Sequence, residues 1–404
     1  MKKILLIGIA LIIMVLGIDT WAEDAGAQPP QVDRETQIKN AMQQLKDAGW
    51  NERRAAAQEL VNLSAKEAIP ELMELLKSKE ENVRELSIQV LGALGAKEAI
   101  PDIKKLIKDA DSGVRGSVAR ACGDLGVKDK DVIPDIIKML KDTDGNVRVS
   151  AAHALGKLGI KDAIPDLKKM LKDIDPGVRG AGVEALGLLD VKDMANDFIK
   201  LLKDKDISLR VKSIEALANM GIKDAIPEIR KLLANDENKE IRYLIVAALG
   251  KLVAKAAIPD LAKLLDDENV NLRQETLTAL GKFNAKDLKT VIPAMINLIN
   301  DANINVRIYA MLALSKLGVQ DAVPELIKIL NDKDDKNWVA RTIAGITIVE
   351  LGAKDKIDAK GVVNDIHWFL KKVTITPPTL ADDIRTRALK VLKELGATEE
   401  QLPE

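Results

Sequence analysis

Residues 159–189 read GIKDAIPDLKKMLKDIDPGVRGAGVEALGLL, and this stretch decides the fold. Gly159 closes a preceding helix, because glycine tolerates the left-handed conformation of a helix C-cap. Asp162 is expected to cap the next helix. Pro165 falls in that helix's first turn, where a missing N–H costs little. Ile164, Leu167 and Leu171 recur at spacings of three and four, so they share one face. This first helix, A, is expected to run about ten residues. Asp173 to Gly177 then turns the chain, with Asp175 as cap. A second helix, B, runs from about Pro176 to Leu189, with Val183, Leu186 and Leu189 on its apolar side. Gly182 and Ala185 let a neighbouring helix approach closely.

The same phrase returns along the chain. Arg84, Arg115, Arg148, Arg179, Arg210, Arg242, Arg273 and Arg307 recur every 31 to 34 residues, each preceded by Val, Leu or Ile. Prolines mark helix A at positions 70, 101, 134, 165, 227, 259, 293 and 324, and Asn196 replaces one. Seven residues after the arginine, helix B carries Leu60, Leu91, Cys122, Leu155, Leu186, Leu217, Leu249, Leu280 and Leu314. A period of this length is the mark of stacked two-helix units, none of which can bury its apolar face alone. The expected fold is all-α: a right-handed α-solenoid of about eleven antiparallel helix pairs. Residues 31–396 form it, with 31–64 as an amino-terminal cap pair, 65–352 as regular repeats and 353–396 as an irregular carboxy-terminal cap. In that last part, residues 353–361 lengthen a connection. Thr376-Pro377-Pro378-Thr379 precedes a final helix from about Leu380 to Leu395. Residues 397–404 are a tail.

Composition agrees with thin layers of helices. Apolar residues make up 47% of the 404 residues but aromatic ones only 2%, so Leu, Ile, Ala and Val must fill the core. The formal net charge is −1. With neither excess positive charge nor aromatic platforms, nucleic-acid binding is disfavoured.

The amino terminus has the pattern of a secretory signal. Lys2 and Lys3 precede an apolar run from Ile4 to Ile18, and Ala22 offers a small residue for cleavage. Fifteen helical residues rise about 22 Å, short of a hydrocarbon core of roughly 30 Å. Residues 1–22 are therefore expected to be removed, residues 23–30 to act as a linker, and the mature chain to be exported without a membrane span. Cys122 is the only thiol, so no internal disulfide holds the chain.

Paired antiparallel helices, proline in the first and Asp…Val-Arg leading into the second, resemble the HEAT repeat, in the short form of the phycobilin-lyase-like proteins. The resemblance spans nearly all of residues 31–396. It implies a polar ladder between repeats, built from Asp109, Asp142, Asp173, Asp204, Asp267 and Asp301 and the arginine six residues after each. Ser78 and Asn235 depart from that pattern. It also implies an alternative function, a bilin-lyase-type enzyme or its non-catalytic subunit.

The residues themselves point to no chemistry. His153 and His367 stand 214 residues apart and no cluster of metal-ligand spacing surrounds either. The His-Glu pairs of the HEAT-like iron hydroxylases are absent. Cys122 stands at a leucine position and reads as core. No catalytic residue, metal site or cofactor is expected. The informative variation lies on helix B, on the stripe one, five and nine residues after the arginine. It is polar in early units and turns apolar later. Tyr243, Leu244, Ile308, Tyr309, Leu312, Ile343 and Ile346 form an expected strip for a protein or peptide partner. Gln274, Thr278 and Lys282 interrupt it.

Overall fold

The computed structural model describes residues 33–235, 240–332, 338–372 and 378–397, and every regular element in them is helical. The expected signal segment 1–22, the linker 23–30 and residues 398–404 of the tail lie outside the described residues. The chain is an all-α solenoid of repeated helix pairs that divides into two compact units, residues 1–96 and Lys97–Glu404.

The first unit contains helices Arg34–Asp47, Trp50–Asn62, Ile69–Leu75 and Glu81–Ala93. Asp33 opens it as an N-cap, its carboxylate accepting the backbone N–H of Thr36 at 2.9 Å. Arg53 ties two turns together: one guanidinium nitrogen donates to the Lys46 carbonyl at 2.8 Å, another meets Glu80 at 2.6 Å.

In the second unit the A helices are short. A single 3₁₀ turn such as Lys161–Ala163 leads into an α-helix such as Ile164–Met170, with Pro165 in its first turn. This corrects the expected capping. Asp162 lies inside the 3₁₀ turn, and no side chain caps either segment. The proline already removes one of the N–H groups that a cap would have served. The B helices are longer: Ser112–Asp124, Gly145–Leu158, Pro176–Leu188, Ile207–Asn219, Arg242–Lys251, Val270–Leu280, Ile304–Lys316 and Trp338–Glu350. Two further helices follow, Ala359–Lys372 and Pro378–Glu394. The connection expected over 353–361 is thus shorter, with a 3₁₀ turn at Lys354–Lys356 and helix from Ala359.

The periodic leucines are the core. Cys122, Leu155, Leu186, Leu217, Leu249, Leu280 and Leu314 are each at most 1% exposed. A second seam joins successive B helices. After Arg115, Arg148, Arg179, Arg242 and Arg273 the residue eight positions on is glycine, and it faces the alanine six residues after the next arginine. A Cβ on Gly123, Gly156, Gly187 or Gly250 would lie 3.0 Å or less from Ala154, Ala185, Ala216 or Ala279. The helices approach as closely as their backbones allow.

The polar ladder is present, except that Arg179 bonds only the carbonyls of Asp173 and Ile174 and does not reach Asp204, and its geometry explains the repeated phrase. Arg115 donates to the carbonyl of Asp109 at 2.9 Å and forms two 2.9 Å bonds to the carboxylate of Asp142 in the next unit. Arg148 repeats this with the Asp142 carbonyl and Asp173, as does Arg273 with the Asp267 carbonyl and Asp301. Each aspartate also accepts the N–H two residues on, and that residue caps helix B: Asp144 accepts from Asn146, Asp175 from Gly177, Asn303 from Asn305. In the first unit Arg84 keeps its bond to the Ser78 carbonyl at 2.9 Å, because that half of the ladder uses backbone and tolerates any side chain. The arginines are thereby committed to the fold. The Arg115 hydrogen bonds draw the Asp142 carboxyl below the usual carboxylate range.

Candidate functional site

Three successive B helices build the most distinctive surface feature of the second unit. Tyr243 stands in the first turn of Arg242–Lys251, and Tyr309 in the first half of Ile304–Lys316. Between them runs Val270–Leu280. Its cap, Asn269, accepts the N–H groups of Asn271 and Leu272, which fixes the first turn. Asn271, Gln274, Glu275 and Thr278 on this helix floor a cleft of about 330 Å³, walled by the two tyrosines. No other tyrosine exists in the chain.

The residues of the expected strip differ in exposure. Tyr243 is 51% exposed, while Leu244, Tyr309 and Leu312 are half-buried. Ile308, Ile343 and Ile346 are buried, at 3%, 0% and 1%, and present no surface to a partner. Helix Trp338–Glu350 packs against both Ala359–Lys372 and Pro378–Glu394, and residues 342–349 are all buried. Leu244 and Leu312 do not line the cleft. Conversely, Gln274 and Thr278, which interrupt an apolar reading, line the cleft. Asn271 and Glu275 gave no signal beyond lying on the same helix face.

The cleft's polar groups are unevenly committed. The Thr278 hydroxyl donates to the Gln274 carbonyl at 3.0 Å and is satisfied. Burial raises the Glu275 carboxyl above its ordinary range, and the more distant Lys282 partly offsets this. Burial, with the charge of Glu275 added to it, also raises the Tyr309 hydroxyl. Native Glu275 therefore holds its proton more tightly than the unfolded chain does. Stability falls as pH rises from the unfolded value of roughly 4.3 through the folded one, and stays lower above it. Glu275→Gln is expected to be more stable than wild type at pH 7, with the difference disappearing near pH 3. Paired urea melts at the two pH values check this, and an equal difference at both would contradict it.

A second cleft of about 620 Å³ lies in the same unit. Trp338 and Trp368 meet edge to face at 4.2 Å there, beside an Arg341–Asp365 ion pair at 3.0 Å. Elsewhere the side chains read as structural. Cys122 is buried and its thiol is pushed up to about 11 by that burial, far from thiolate at neutral pH. His153 is on the B-helix surface, 3.6 Å from Glu184. Among the described residues no group of three or more His, Cys, Asp or Glu could hold a metal ion, and no helix is long and apolar enough to cross a membrane.

Solved structures resemble this fold. Yeast importin-β (Kap95p) is 16% identical with a TM-score of 0.53, over 91% of this chain and 58% of that one. Kap95p in a structure with RanGDP is 16% identical with a TM-score of 0.51, over 90% and 57%. The complex of CpcE and CpcF of phycocyanin lyase from Nostoc sp. PCC7120 is 22% identical with a TM-score of 0.41, over 58% and 96%. This chain thus spans a little over half the length of importin-β. No curated protein matches it. The family profile described as HEAT repeats matches residues 38–123, 103–187, 195–273 and 258–348. With the repeated helix pairs, the glycine–alanine seam and the arginine ladder carrying that match over more than half of its length, the chain belongs to the HEAT-repeat family.

Proposed function

We propose that this protein is an exported, non-catalytic scaffold that holds a protein or peptide partner on its B-helix face, at the cleft between Tyr243 and Tyr309. One observation carries the reading. In a chain with so few aromatic residues, both tyrosines flank one cleft. Tyrosine combines a large apolar face with a hydroxyl and orders at low entropic cost, which suits recognition surfaces. The amide side chains of Asn271 and Gln274 between the rings are suited to the N–H and C=O groups of an extended polypeptide. The neighbour Kap95p is itself described with a protein partner, RanGDP. Export rests on the signal-like pattern of residues 1–22, and the absence of catalysis on the lack of a nucleophile–base phrase in the sequence.

The test is affinity capture from an envelope fraction with the chain as bait, followed by mass spectrometry. Replacing Tyr243 and Tyr309 together by serine is expected to lower recovery of the specific partner by at least roughly tenfold, the scale of losing one hot-spot contact. The Leu188→Ser variant, exposed on another B helix, serves as control. Undiminished recovery by a folded double variant would remove the cleft from the proposal.

A further inference from the structure

Glu275 lacks what comparable acids in this unit have. Glu184 on another B helix meets Lys212 at 2.8 Å, and Asp301 meets Arg273 at 3.0 Å. Arg273, two residues before Glu275, spends its two terminal guanidinium nitrogens on Asp301 and on the carbonyls of Asp267 and Glu268. Lys282 acts on Glu275 only through space, with no hydrogen bond between them. Among the described residues, then, Glu275 has no ion-pair partner, yet it is half-buried in a cleft that Tyr243 and Tyr309 also line. A carboxylate set among aromatic faces is the complement of a cation.

We infer that the cleft receives an arginine side chain of the bound polypeptide. Its guanidinium bonds the Glu275 carboxylate, and its plane lies against the ring of Tyr243 or Tyr309. This rests on the reading of the cleft as the partner site and names the chemistry it selects. Arginine fits better than lysine on donor count. Its five N–H groups can serve the carboxylate and the amide oxygens of Asn271 and Gln274 together, whereas an ammonium has three. The cleft volume of about 330 Å³ sits at the low end for ligand pockets and suits one long side chain rather than a cofactor. An incoming guanidinium would also offset the burial that now disfavours the Glu275 charge.

The experiment uses the full chain and two probes, acetyl-Gly-Arg-Gly-amide and its citrulline isostere, which keeps the shape and removes the charge. Binding is followed by saturation-transfer NMR with competition at physiological salt. The arginine peptide is expected to bind roughly tenfold more tightly than the citrulline peptide, as a charge-assisted bond outweighs a neutral one. That preference should vanish in Glu275→Gln, while Glu275→Asp should retain part of it. Equal binding of the two peptides, with both lost in Tyr309→Ala, would overturn the arginine inference and leave the cleft a binding site. Binding of neither peptide would overturn it too, and the tyrosine capture experiment would then decide separately whether the cleft reading survives.

Discussion

Leu155→Ala and Leu217→Ala should each destabilise the protein by roughly 2–5 kcal/mol, the range for a leucine truncated in a packed core. Both side chains are 0% exposed, and each sits where helix B meets the rest of its layer. Truncation loses the transfer energy of the deleted carbons and leaves a cavity. The surroundings cannot close it, because the B helices are already held at backbone contact by the glycine–alanine seam. The matching exposed positions should behave differently. Lys157→Ala loses a 2.7 Å ion pair with Asp124, but both partners are exposed enough that the cost is about 1 kcal/mol or less. Asn219→Ala should fall in the same small range. A stacked array can also open locally, since each unit leans mainly on its neighbours. Hydrogen exchange should therefore show the loss concentrated around the altered unit, with circular dichroism in urea giving the total. Similar losses at the leucines and at Lys157 or Asn219 would mean that the assignment of helix faces is wrong.

Features repeated many times were legible in the sequence, because each copy repeats the same physical demand. The leucines seven residues after each arginine had to be core, and they are. The aspartate–arginine ladder, known only through the family resemblance, is present. Its mechanism was not legible, since half of each rung is a backbone carbonyl with no identity in the sequence. The site was read less well, for the opposite reason: it depends on what happens once. The burial of a register position differs between units: Tyr243 is exposed where Ile308 is buried, whereas Leu86 and Ala181 are buried as Ile343 is. Ile346 is buried where Arg120 and His153 are exposed at the same register, and its B helix also packs against the two carboxy-terminal helices. A stripe drawn along one helix also misses what spans three. Tyr243, Glu275 and Tyr309 come from successive units, and only the spacing of neighbouring B helices brings them to one cleft.

Gly250→Ala should destabilise the protein, while Gly180→Ala should stabilise it. The two substitutions are chemically the same, and both positions lie within B helices, where alanine is preferred to glycine by roughly 1 kcal/mol. The difference is what the new methyl meets. At Gly180 the nearest atom is the Cγ of a flexible lysine, Lys212, at 3.7 Å, so the propensity gain should survive as a rise of about 0.5–1 kcal/mol. At Gly250 the new Cβ would lie 2.6 Å from the Ala279 Cβ and 2.7 Å from its Cα. Backbone cannot rotate away, so the helix Val270–Leu280 must shift, against Arg273 and its bonds to Asp267 and Asp301. Overpacking of this kind costs about 1–3 kcal/mol and should exceed the gain. Gly250→Val, larger and β-branched, should lose more. Thermal melts of the three variants check the signs, and a raised melting temperature for Gly250→Ala would mean the seam is looser than described. The joint has a functional side as well. Gly250 belongs to the helix that carries Tyr243, and Ala279 to the helix that carries Glu275. Forcing them apart moves one wall of the cleft relative to its floor. Gly250→Ala should therefore weaken partner capture even at temperatures where the variant remains folded, whereas Gly180→Ala, outside these two helices, should leave capture unchanged.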